Sequence, residues 1–129
     1  MTNIQTSGEN YLETIFVLGQ DGKSVRAVDV AAALGFSRPS VSRAIKNLRH
    51  DGYVETDAGG FITLTASGKE IAETMYERHM LISNWLMALG VDAQTASDDA
   101  CKMEHVLSNQ SFDAIRGFLM KTGAKYLDM

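Results

Sequence analysis

Cysteine is almost missing from this chain. One residue of 129, Cys101, is a cysteine, so no internal disulfide can brace the fold, which suits a reducing, cytoplasmic setting. No stretch approaches the roughly 18 uninterrupted apolar residues of a membrane span. The opening residues, Met1-Thr-Asn-Ile-Gln-Thr-Ser-Gly8, have neither the basic region nor the apolar core of a secretory signal. Low-complexity segments and internal repeats are absent. So are a phosphate-cradling glycine loop and a His-Glu-x-x-His helix, the motifs by which a hydrolytic metalloenzyme would show itself; the chain is not expected to be an enzyme. Positive charge is also short, with a formal net charge of −4. What is present, a 45 % hydrophobic composition, is that of an ordinary globular protein forming one unit or at most two small ones.

The charge has the wrong sign for a nucleic-acid binder, but its distribution matters more than its sum. From Arg38 to His50 there are four cations (Arg38, Arg43, Lys46, Arg49) and no carboxylate; from Ile71 to Met129 there are five cations and eight acids. A basic helix beside an acidic half permits local contact with DNA despite the total. A merely solvated basic face gives the same pattern.

Ser7 can cap a first helix running to about Leu18, in which Tyr11, Leu12, Ile15, Phe16 and Leu18 recur at helical spacing. Gly19-Gln-Asp-Gly22 reads as its stop and a turn. A second helix, about Ala27 to Leu34, is closed by Gly35. Ser37 caps the third, with Pro39 in its first turn, where the missing N–H costs nothing. That helix runs to about His50 and is expected to bury Val41, Ala44, Ile45 and Leu48. Between Tyr53 and Leu64 two short β-prone runs flank Asp57-Ala-Gly-Gly60, a hairpin signal. Thr65 caps a long fourth helix to about Leu89, with Ile71, Met75, Leu81, Ile82, Trp85, Leu86 and Leu89 as its apolar stripe. Gly90 stops it. Asp92 caps a fifth, about Ala93 to Leu107, and Ser108 or Ser111 starts a sixth with Phe112, Ile115, Phe118 and Leu119 apolar. The last eight residues are expected to fray.

Helix, tight turn, helix and hairpin is the order of a winged helix-turn-helix. The expected class is mainly α: a winged helix-turn-helix DNA-binding domain with a small two-stranded wing over residues 1–66, then an all-helical domain over 67–129. The second helix of the motif meets base edges with its N-terminal part. Its DNA-facing residues are Ser37, Arg38, Pro39, Ser40, Ser42, Arg43, Lys46 and Asn47. Arg38 and Arg43 suit base readout, because arginine can bond guanine bidentately. Ser37, Ser40, Ser42, Lys46 and Asn47 suit phosphates, which position rather than specify. The wing has no cation of its own and is expected to add little affinity.

The most specific stretch is Asp99-Ala-Cys-Lys-Met-Glu-His-Val-Leu-Ser108. Cys101, Glu104 and His105 stand at i, i+3 and i+4, on one face of one helix, and each is a transition-metal ligand type. Singly they read as a buried thiol, a surface acid and a surface histidine. His79 on the fourth helix and the pair Asn10 and Glu13 on the first could complete a coordination shell. His79 could equally be a polar residue on a dimer-facing helix, and Glu13 a solvated acid.

Asn10-Tyr-Leu-Glu-Thr-Ile15, Ser37-Arg-Pro-Ser-Val-Ser42, Leu64-Thr-Ala-Ser-Gly68, Arg78-His79 and Ala100-Cys-Lys-Met-Glu-His-Val-Leu-Ser108 resemble the iron- and manganese-dependent repressors of the diphtheria toxin repressor family. The resemblance runs from about Ser7 to Lys121. The chain is similar to the short, manganese-regulator type, without the SH3-like domain of longer members. The resemblance implies a homodimer through the C-terminal helices, a divalent metal as co-repressor, and palindromic operators upstream of metal-uptake genes. By position, Cys101, Glu104 and His105 match the family's ligand helix, His79 its long-helix ligand and Glu13 a helix-one ligand of the manganese type. Asn10 occupies the other helix-one position, where members carry Met or Asp. Ser83 and Ser97 stand where iron-type members have a Glu and a His of an ancillary site, which the resemblance therefore does not extend to this chain. Cys101 is of the iron type and Glu13 of the manganese type. A soft thiolate shifts preference towards Fe²⁺, with Mn²⁺ next and Co²⁺, Ni²⁺ or Zn²⁺ able to substitute. The alternative is a winged-helix regulator that senses an oxidant at Cys101, or a small ligand, instead of a metal.

Overall fold

A computed structural model describes residues 6–122. The expectation of a frayed C-terminus falls outside them, except for Thr122, which is helical. The elements are α1 (Thr6–Leu18), a 3₁₀ turn (Gln20–Gly22), α2 (Ala27–Leu34), α3 (Arg38–His50), β1 (Val54–Thr56), β2 (Ile62–Leu64), α4 (Ala66–Ala88), α5 (Ala93–Val106) and α6 (Asn109–Thr122). This is the mainly helical winged-helix class the sequence predicts. The chain divides between Thr74 and Met75 into two compact units. Among the described residues, no helix is long and apolar enough to cross a membrane.

In the first unit the tight turn is set by local chemistry. Gly35, at φ 70°, ends α2 and donates its N–H to the Ala31 carbonyl at 2.9 Å. Only glycine adopts that left-handed conformation without steric cost. Two residues later Ser37 is extended, and its hydroxyl accepts the Ser40 N–H at 3.3 Å, with Pro39 in the first turn of α3. Val41, Ile45 and Leu48 of α3 are buried with Leu12 and Ile15 of α1, Val30 of α2, Val54 and Ile62 of the wing, and Ile71 and Ala72 from the start of α4. Ala44, expected inside, is half-buried and packs at the margin of that cluster. The wing is antiparallel, with Val54 opposite Leu64, Glu55 opposite Thr63 and Thr56 opposite Ile62. At its tip the Asp57 carboxylate accepts the N–H groups of Gly59 and Phe61, both at 2.9 Å.

Thr65 joins wing to helix. Its hydroxyl donates to the Gly52 carbonyl at 2.7 Å and accepts the Gly68 N–H at 3.2 Å. A Cβ at Gly68 would overlap the Tyr53 carbonyl oxygen, so the first turn of α4 can lie against Tyr53 only because residue 68 has no side chain. Gly68→Ala is expected to lower stability by about 1–3 kcal/mol through backbone displacement, read as a lower denaturant midpoint. An unchanged midpoint would show that the backbone yields there at no cost.

In the second unit Asp92 caps α5, accepting the Thr95 N–H at 3.0 Å and the Thr95 hydroxyl at 2.8 Å. The Thr95 backbone bond is the main cause that holds this carboxyl below its ordinary value of 3.8. A lowered carboxylate pKa means the cap contributes fully above that value and is lost as the pH falls below it. Ser108, not Ser111, caps α6, accepting the Ser111 N–H at 3.0 Å. Leu81, Phe112 and Leu119 form the core of this unit, with Trp85, Leu107 and Ile115 packed against them. Two residues assigned to apolar stripes lie outside: Leu89 is 62 % and Phe118 64 % exposed. Leu89 follows the end of α4. Phe118 falls about 120° around α6 from Phe112, off the face that Leu119 shares.

Candidate metal centre and nucleic-acid interface

The i, i+3, i+4 spacing on α5 does what it predicts. One ligand atom each from Cys101, Glu104 and His105 lies within 4.8 Å of the others. Glu104 is 0 % exposed, and among the described residues neither of its carboxylate oxygens accepts a hydrogen bond. His79 Nδ1 from α4 stands 3.6 Å from Glu104 Oε1, and His105 Nε2 3.7 Å from the same oxygen. Those separations exceed a hydrogen bond. A carboxylate removed from water without a donor is expensive unless it neutralises or meets a cation. Cys101, Glu104 and His105 thus bring a half-buried thiol, a carboxylate oxygen and an imidazole nitrogen together, and His79 faces the same carboxylate from α4, a donor set that fits a divalent transition metal.

The end of α5 is held by a residue that the sequence shows only as part of a motif. Arg78, buried beside His79 on α4, donates Nη1 to the Glu104 carbonyl at 2.9 Å and the Leu107 carbonyl at 2.7 Å, and Nη2 to Asn109 Oδ1 at 2.6 Å. Its guanidinium lies 5.0 Å from the centre of the Phe112 ring. The pair Arg78-His79 was legible as part of a motif, but not that its arginine caps the end of α5. Glu13 and Asn10 belong to the first unit, Glu13 buried and Asn10 half-buried on α1.

On α3, Arg38, Ser42, Arg43, Lys46 and Asn47 are all exposed, as is Pro39. Ser37 and Ser40 are engaged with each other, hydroxyl to hydroxyl at 2.8 Å, within the helix cap. The wing carries no cation of its own, as expected, but two arginines from outside it reach it. Arg26, the residue before α2, reaches the wing tip: its guanidinium lies 4.9 Å from the centre of the Phe61 ring and Nη2 donates to the Gly59 carbonyl at 2.6 Å. The backbone brings it there, since Ile62 N–H donates to the Val25 carbonyl at 2.8 Å and Arg26 bridges Phe61. Arg49 of α3 reaches the wing as well, donating to the Thr56 hydroxyl at 3.0 Å. Arg26→Ala is expected to loosen the tip, seen as faster amide hydrogen exchange at Phe61 and Ile62 with global stability changed by less than about 1 kcal/mol. Unaltered exchange would mean that the Asp57 turn holds the tip unaided.

Two family models match in sequence order. That described as the iron dependent repressor N-terminal DNA-binding domain covers residues 3–59, and that described as the iron dependent repressor metal binding and dimerisation domain covers 65–123. The transcriptional regulator MntR of Escherichia coli is 39 % identical over 117 residues, spanning 91 % of this chain and 76 % of the relative. An uncharacterised helix-turn-helix-type transcriptional regulator of Methanocaldococcus jannaschii is 33 % identical, over 88 % of this chain and 92 % of its own length. Among solved structures, a manganese-dependent transcriptional repressor in complex with manganese superposes with a TM-score of 0.76 at 30 % identity, over 87 % of this chain. The chain spans about half of that solved protein, 53 % of its length. By both of its halves, the chain belongs to the iron-dependent repressor family, whose members it resembles in sequence and fold are DNA-binding transcriptional regulators and not enzymes.

Proposed function

We propose that this chain represses transcription when it holds a divalent transition metal, and that His79, Cys101, Glu104 and His105 bind the ion. The observation that carries this is the Glu104 carboxylate, fully buried, without a hydrogen-bond donor among the described residues, and faced by two imidazole nitrogens. When bound, the ion supplies the positive charge that these donors share. The sequence resemblance adds Glu13, with Asn10 beside it, as ligands from α1. The Cys101 thiolate favours Fe²⁺ as the co-repressor. Solved structures of a manganese regulator and of a manganese-dependent repressor with manganese, similar in fold and sequence, favour the second reading, Mn²⁺.

On the DNA side, Arg38 and Arg43 are assigned to base edges, and Ser42, Lys46 and Asn47 to phosphates, with Ser37, Pro39 and Ser40 forming the start of the helix that meets the groove. The binding species is a homodimer joined by its C-terminal helices in the cytoplasm, on a palindromic operator near metal-uptake genes. The domain assignment is DNA binding over residues 1–66 and dimerisation with metal binding over 67–129. Anaerobic titration of operator binding with Fe²⁺ and Mn²⁺ tests the reading. A saturable gain in affinity with either ion is expected; none with either, together with a change on thiol oxidation, would transfer the sensing role to Cys101 as an oxidant sensor.

A further inference from the structure

Ser97 stands one helical turn before Cys101, so α5 carries Ser97, Cys101, Glu104 and His105 on one continuous face. The serine is half-buried, and its hydroxyl lies 3.4 Å from His79 Nε2. The other ring nitrogen, Nδ1, is the one that faces Glu104, at 3.6 Å. The two nitrogens of His79 therefore have different neighbours on the same helix: a hydroxyl on one side, a carboxylate of the metal centre on the other. In a neutral imidazole one nitrogen carries hydrogen and the other a lone pair, and the partner of the first decides which is which.

We propose that Ser97 is a positioning residue of the metal centre: its hydroxyl oxygen accepts the Nε2–H of His79, which fixes the ring's orientation and leaves the Nδ1 lone pair directed at the ion. This rests on the metal-binding reading above. Outer partners of this kind hold a ligand ring in one orientation and tautomer, and their loss weakens metal binding about 10- to 100-fold. At 3.4 Å the bond is long.

Two measurements on the full chain test the proposal. Long-range ¹H–¹⁵N NMR of the protein loaded with diamagnetic Zn²⁺, in which the ion meets the Glu104 charge that faces Nδ1, reads which nitrogen of His79 carries hydrogen. The wild type is expected to carry hydrogen on Nε2, and Ser97→Ala to show a mixture of tautomers. Mn²⁺ affinity, from the free-ion EPR signal, is expected to weaken about 10- to 100-fold in Ser97→Ala with an unchanged metal-free melting temperature, and to recover in Ser97→Thr, which keeps the hydroxyl. A wild-type ring with hydrogen on Nδ1, or a Ser97→Ala protein that binds Mn²⁺ as tightly as the wild type, overturns the role of Ser97 and leaves the metal centre standing. A wild-type protein that binds neither Mn²⁺ nor Fe²⁺ overturns both.

Discussion

Glu104→Gln is expected to lower metal affinity by at least about 100-fold, beyond the 10- to 100-fold effects typical of outer partners, and at the same time not to destabilise the metal-free protein. The two halves of that result have one cause. A fully buried carboxylate whose oxygens accept no hydrogen bond among the described residues is a liability to the empty fold and an asset only to a bound cation. Glutamine keeps the shape and removes the charge. Glu104→Met goes further by removing polarity, and the metal-free protein is then expected to be at least as stable as the wild type, since no buried oxygen is left without a partner. Thermal unfolding in a chelator reads the stability, and titration with Fe²⁺ or Mn²⁺ reads the affinity. If both variants unfold earlier than the wild type in chelator, Glu104 serves the fold as a partner of His79 and His105, and the metal reading loses its main support.

The parts of this molecule that were legible in its sequence are those decided within a few residues. Gly35, Ser37, Asp92 and Thr65 mark helix ends through backbone chemistry that does not depend on the rest of the chain, and the ends fall where those residues place them. The shared face of Cys101, Glu104 and His105 on α5 is equally local, because i, i+3 and i+4 share a face in any α-helix. Burial is not local. Phe118 and Leu89 have the composition of core residues, but which side of a helix is covered is settled by its neighbours, and both lie exposed. The meeting of Arg26 with the wing depends on a backbone register between Val25 and Ile62, far apart in the sequence, so no short motif announces it. The same holds for Ser97 and His79: their places on two helices were readable, their contact was not. The donor types of the candidate metal centre could be read from sequence, while the desolvation of Glu104 depends on the packing of α4 against α5.

Arg78→Met is expected to destabilise the protein by on the order of 3 kcal/mol, and to weaken metal binding although Arg78 is not among the proposed ligands. The side chain is 4 % exposed and bonds three acceptors. Two of them, the carbonyls of Glu104 and Leu107, belong to the end of α5, where a helix runs out of N–H donors for its last carbonyls. The third, Asn109 Oδ1, lies in the first turn of α6. One guanidinium thus satisfies the exit of one helix and ties down the entry to the next, while its face covers Phe112 at the centre of that unit's core. Methionine preserves much of the apolar stem and removes every donor, so buried carbonyls lose their partners at about 1–3 kcal/mol each, offset by what water regains. Lysine restores a charge with a flexible point donor in place of the planar fork, and Arg78→Lys is expected to fall between wild type and Arg78→Met. Because Glu104 and His105 occupy the turn that Arg78 fixes, the order of metal affinities should follow the order of stabilities: wild type, Lys, Met. Chemical unfolding in chelator and metal titration of the three proteins give both orders. Equal midpoints for wild type and Arg78→Met would place the anchoring of α5 elsewhere. Lowered midpoints with unchanged metal affinity would show instead that the ligand turn keeps its geometry without Arg78.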